Sequence, residues 1–149
     1  MLASLLIAAV SGMRAMTPLA TVANAARRGE LPPDGSAPAL LAHPLVSAGT
    51  LALAAGELAG DKMKTAPDRI ILPGMIARVA TGAFAAASLA PRKQRALAAV
   101  LGAGVAAGSS YLTFRARATA MRRYGQTSTG AVEDAIALGT AALAVRAAR

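Results

Sequence analysis

Apolar residues gather into long stretches separated by short polar connections. Residues 37–56 and 96–114 hold no charged side chain, and each is about the 20 residues that a helix needs to cross a bilayer. Three further stretches qualify once one or two charges are admitted. Residues 2–26 carry only Arg14, residues 70–90 carry only Arg78, and residues 131–145 open on Glu133 and Asp134 before running apolar. Turn-forming Pro32 to Gly35 lies between the first two stretches, and short basic segments join the others. No segment alternates apolar and polar residues over strand length, which argues against a β-barrel. The pattern predicts one all-α integral membrane domain over residues 1–149, a bundle of about five transmembrane helices.

The first stretch should not be a straight rod. Gly12 loosens the helix, and Pro18 has no N–H for the carbonyl four residues back, which belongs to Arg14. The first helix is therefore expected to be kinked or broken near Arg14–Pro18. The segment Val22 to Ala25 resembles a signal-peptidase site, but no basic region precedes the apolar run and Arg14 interrupts it, so the segment is expected to stay.

Composition sharpens this picture. Of the chain, 55% is hydrophobic but only 3% aromatic, with 14 glycines, a mixture suited to helices packed through small residues. Cysteine is absent, which excludes disulfides, thiolate metal sites and cysteine nucleophiles. A single histidine, His43 beside Pro44, reads as interfacial and leaves no basis for a His-based metal site or a Ser-His-Asp triad. No catalytic group, metal or cofactor is predicted. The net charge of +9 comes from basic clusters flanking apolar stretches, as membrane insertion produces, and not from a surface with stacking aromatics. The expected partners are therefore membrane lipids and an anionic small molecule or lipid headgroup, with no nucleic acid.

Ionisable residues inside a span cost about 2.5–3.5 kcal/mol each at the helix centre, so each needs a reason. Glu57 and Asp61 share a helix face four residues apart, where like charges repel unless a proton or cation intervenes. Gly56 and Gly60 beside them, and Gly104 and Gly108 later, have the spacing that lets helices approach closely, within the chain or in a homodimer. Five alternating spans would bring Arg14, Glu57, Asp61, Lys62, Arg115, Arg117, Glu133 and Asp134 into one half of the membrane, as a polar cluster open to the side that holds Met1. These are the candidate binding residues, with Arg14 for an anionic group and Glu57 and Asp61 for a coupling proton or cation. The plainer account makes Arg14 and Glu57 an ion pair locking the first two spans, and the later charges interfacial residues at helix ends. Arg78 has no assignment. Basic residues of the connections divide evenly between the two sides, so orientation is open. Counting Lys62, Arg115 and Arg117 into the cluster would make the opposite side cytoplasmic.

The motifs "SGMRAMTPLA", "GELAGDK" and "VEDAIA", in that order, resemble the small bacterial membrane proteins grouped as domain of unknown function 4126. The resemblance covers nearly the whole chain and places Gly12, Arg14, Pro18, Glu57, Asp61, Lys62, Glu133 and Asp134 on the family pattern. That pattern has a proline soon after the Asp-Lys pair. Here Met63 and Lys64 follow, and the first proline is Pro67. Arg115 and Arg117 approximate its later basic pair. The resemblance implies a multi-pass protein of the bacterial inner membrane and no activity. A small transporter or transport-like protein for an anionic or amphiphilic solute is the expected function. The alternatives are a structural or assembly factor and, behind it, an intramembrane enzyme acting on lipid headgroups.

Overall fold

The computed structural model describes residues 1–60 and 72–149. These form α1 (Leu2–Met13), α2 (Met16–Arg27), α3 (Pro44–Gly60), α4 (Leu72–Leu89), α5 (Arg95–Tyr124) and α6 (Gln126–Ala148), with single 3-10 turns at Ala39–Ala42 and Arg92–Gln94. Among the described residues, the sole β pairing is an isolated bridge between Gly35 and Pro91. The expected helical class is observed.

The expected break is also observed. Arg14 is extended (φ −140°, ψ 116°), and a new helix starts just beyond it. Pro18 falls in the first turn of α2, where a missing N–H costs nothing. The consequence is larger than a kink, because α1 and α2 run in opposite senses. Ser11 lies against Gly82 of α4, and Gly12 against Ser109 and Ser110 of α5. The buried positions of α5 beyond the contact lie N-terminal to it, at Ala98, Gly102 and Ala106, and those of α4, Arg78 apart, lie C-terminal to it, up to Leu89. The buried body of α1 (Ala3, Ser4, Ile7, Ala8, Val10) packs alongside them, so Leu2 sits at the end of the molecule where α4 hands over to α5. The loop after α2 comes back to that same end. Ser36 N donates to Ala90 O at 3.2 Å, Arg92 N donates to Asp34 O at 3.2 Å, and Glu30 pairs with Arg149 at 2.9 Å. Residues 2–27 are thus a V-shaped helical hairpin with its tip at Arg14 and Ala15, not the single span expected for residues 2–26. Each arm has 12 residues and is about 18 Å long.

Small residues set the closest helix crossings. A Cβ on Gly82 would meet Ala106 Cβ at 2.6 Å, and one on Gly102 would meet Ala86 Cβ at 2.5 Å. The contact stripe on α5 is therefore Gly102, Ala106 and Ser110. The expected pair Gly104 and Gly108 is one helix face away, with nothing within 4 Å among the described residues, and the same holds for Gly56 and Gly60. The expectation that these pairs seat helices within the chain is corrected for the described residues, where neither pair meets another helix. Ser109, Ser110 and Thr113 bond back to helix carbonyls at 3.2, 2.7 and 2.8 Å, as their positions in an apolar helix require.

Among the described residues, two helices are long and apolar enough to cross a membrane, Leu72–Leu89 and Arg92–Tyr124. The latter continues past residue 114, where the apolar run ends, through Arg115 and Arg117 to Gly125, whose φ of +79° stops it. Large apolar side chains line the outside, including Leu45, Leu53, Leu72, Val100, Leu112 and Leu143. Ser4, Ser11, Arg14, Thr17, Ser47 and Ser88 are buried.

Candidate functional site

The hairpin tip collects most of the charged residues singled out above. Arg14, 1% exposed, is the largest fully buried side chain. Its Nε donates to Oδ1 of Asp134 at 2.9 Å, and its Nη2 reaches the same oxygen. Asp134 projects from α6, one residue beyond Glu133, which pairs with Arg117 of α5 at 2.7 Å. Both side chains of that second pair are largely buried.

Glu57 reaches the tip from α3. Its Oε1 accepts Ala15 N–H at 2.7 Å and its Oε2 accepts Met16 N–H at 2.9 Å. A helix begins with amides that have no partner inside it, and its dipole favours negative charge there. Ordinarily a neighbouring residue in sequence supplies the cap. Here no side chain near the start of α2 does so, and a carboxylate some forty residues away takes the role. Thr17, in the same turn, is 2% exposed, and its hydroxyl has no hydrogen-bond partner.

The expected pairing of Arg14 with Glu57 is therefore corrected. Arg14 turns to Asp134, and Glu57 turns to backbone amides, because the break exposes donors that a continuous helix would have used. Glu133 and Asp134 are not at a helix end but inside α6 (Gln126–Ala148). Asp134 is buried and holds Arg14. Arg115 does not join the cluster, since its side chain is exposed on the far face of α5 from Arg117's partner. Asp61 and Lys62 lie outside the described residues. Arg78, unassigned from the sequence, is buried in α4, where its carbonyl accepts the Ser11 hydroxyl at 2.7 Å, close below the tip. Of the charges that parity arithmetic gathers, Arg14, Glu57, Arg117, Glu133 and Asp134 come together because the tip of a hairpin meets the C-terminal part of α3 and the N-terminal part of α6, and they do so at the end away from Leu2, not on the side holding Met1 as expected.

Beside the tip runs a groove of about 640 Å³ between the C-terminal half of α5 and the N-terminal half of α6. Ala116, Ala120, Tyr124, Val132 and Ile136 help make its lining almost wholly apolar, and Arg117 and Glu133, paired with each other, also line it. Met13 lines it too, one residue before Arg14. Sequence reasoning missed Met13, Thr17 and the groove. The Thr-Pro step at residues 17–18 was the available signal, since proline in a first turn marks a new helix start.

The family model described as Domain of unknown function (DUF4126) matches residues 1–148, and the chain belongs to that family. No curated protein and no solved structure matches it.

Proposed function

We propose that this is a bacterial inner-membrane protein in which α3, α4, α5 and α6 cross the bilayer and α1–α2 forms a re-entrant hairpin, and that it acts as a small transporter or transport-like protein for an anionic, amphiphilic solute. The outward display of leucine and valine with serine, threonine and arginine inside supports the membrane setting. Arms of about 18 Å are too short for the roughly 30 Å hydrocarbon core, and such backbone is tolerated at depth only when buried in protein. Gly56, Gly60, Gly104 and Gly108, which meet no other helix among the described residues, suit a homodimer packed through small residues.

One observation carries the functional reading: the hairpin tip, where the end of one half-helix meets the start of another, adjoins an apolar groove. Broken helices meeting at a polar site are how many secondary transporters hold their substrates. The apolar groove would take a short chain, with its head toward the Arg117–Glu133 pair. The test is uptake of radiolabelled octanoate into proteoliposomes, with Val132→Trp as the groove-filling variant. Uptake by the wild type that Val132→Trp removes, while the variant stays folded, supports the reading. Absence of flux through folded wild-type protein contradicts it for this solute class.

A structural role is the second reading, favoured by the full internal bonding of both Glu57 oxygens. In that case Arg14→Ala and Glu57→Ala lose folded protein in detergent and leave no separate effect on flux.

A further inference from the structure

The groove between α5 and α6 runs along α5 from Thr113 to Tyr124, about 16 Å at 1.5 Å per residue. That matches the depth of one leaflet's acyl chains, half of a hydrocarbon core of roughly 30 Å. Its lining is almost wholly apolar, and the two charges in it, Arg117 and Glu133, neutralise each other at 2.7 Å. Such a surface suits a chain of methylenes, whereas a free ion would lose its water there without gaining a partner.

The inner end of the groove tells where such a chain enters. Val132 and Ile136 line it and are also 61% and 51% exposed, so its apolar wall continues onto the outer surface of α6 with no polar barrier between. In the membrane setting proposed above, that surface faces lipid. The uncharged run of α5 ends at residue 114, so the stretch from Arg117 to Tyr124 stands beyond the hydrocarbon edge, where bilayer tails do not cover its apolar wall. A tail drawn up from the leaflet covers it.

The outer end tells what the chain carries. Arg123 follows Ala116 by seven residues, close to two whole turns, so it stands at the rim of the groove beside Tyr124. It is exposed, and among the described residues none of the ion pairs includes it. Across the groove, α6 holds no acidic residue before Glu133. The rim is therefore positive and unopposed, which is complementary to an anionic head, and a guanidinium binds phosphate through two parallel hydrogen bonds.

We propose that the groove holds one acyl chain of an anionic phospholipid drawn from the adjoining leaflet, with its phosphate against Arg123. This names the amphiphile of the transport reading and rests on that reading for the consequence of binding, whereas the binding itself requires no flux.

The experiment counts bound lipid by native mass spectrometry of the protein in a neutral detergent, titrated with phosphatidylglycerol or phosphatidylcholine carrying the same two dodecanoyl chains, and with dodecanoate. Phosphatidylglycerol should bind about three- to fivefold tighter than phosphatidylcholine. Arg123→Gln should erase that preference. Arg122→Gln, an equal loss of charge on the opposite face of α5, should keep most of it. The groove-filling Val132→Trp should weaken both lipids. Arg123 is on the surface, so its variant decides the matter even where Val132→Trp does not fold. Equal binding of the two lipids by the wild type overturns the proposal, as does equal loss of preference in Arg122→Gln and Arg123→Gln. Dodecanoate that binds more tightly than phosphatidylglycerol and displaces it assigns a free fatty acid instead. Loss of a dimer in Val132→Trp with lipid binding unchanged assigns the groove to a second copy of the chain. Both results overturn the proposal. Selective phospholipid binding without octanoate uptake removes the transport reading alone, and uptake without lipid selectivity removes this inference alone.

Discussion

Arg14 Nε donates to Asp134 Oδ1 at 2.9 Å across 120 residues of chain, joining the tip of the N-terminal hairpin to the last helix. Both residues are buried, so each is the other's compensation for lost water.

Removing one partner takes away hydrogen bonds that compensate the other's burial. Arg14→Met and Asp134→Leu should each cost roughly 3–5 kcal/mol, whereas the double substitution should cost clearly less than the two single losses summed. Equilibrium unfolding in mixed micelles, followed by circular dichroism, gives all three values. Single losses that simply add in the double variant would show that the two side chains act independently.

The glycines divide sharply by position. A Cβ on Gly12 would sit 1.9 Å from Ser109 Oγ and 2.6 Å from the Ser110 backbone nitrogen, so α1 must move away from α5. Gly12→Ala should destabilise by roughly 1–3 kcal/mol. Gly104→Ala meets nothing within 4 Å and gains helix propensity, so it should be neutral or stabilising by up to about 1 kcal/mol. Melting curves of the two variants side by side check both signs.

Glu30 lies outside the helices, and its carboxyl is held below the usual glutamate value by its hydrogen bond to Arg28 and by the Arg149 guanidinium. A lowered folded-state value means that its contribution to stability is present above the ordinary glutamate pKa and fades as pH falls through the folded-state value. NMR titration of the Glu30 side chain should give a midpoint below that of a free glutamate. Arg28→Ala should move the midpoint up more than Arg149→Ala does.

Much of this was legible in the residues. Pro18 four positions after Arg14 announced the helix break, and the Pro32 to Gly35 turn marked a connection that the fold uses. Charges placed in apolar stretches pointed to Arg14, Glu57 and Asp134, and all three meet at the tip. Their partners were not legible. A broken helix leaves amides open, and only the three-dimensional path of the chain decides whether Glu57 seeks those amides or the arginine. Nor could hydropathy separate one span of 25 residues from two half-length arms folded back, because both bury the same apolar residues. The choice of Gly102 over Gly104 as the packing glycine rested on helix rotation, which a helix apolar on every face does not specify.

The central claim is that residues 2–27 enter the membrane and return to the side they came from. The chain has no native cysteine, so single-cysteine variants report accessibility cleanly. Leu2→Cys, Asp34→Cys and Arg149→Cys, each probed in intact cells with a membrane-impermeant maleimide, should all behave alike, and Tyr124→Cys should behave oppositely. Labelling of Leu2→Cys together with Tyr124→Cys, and opposite to Asp34→Cys, would make residues 2–27 a crossing segment and contradict the hairpin.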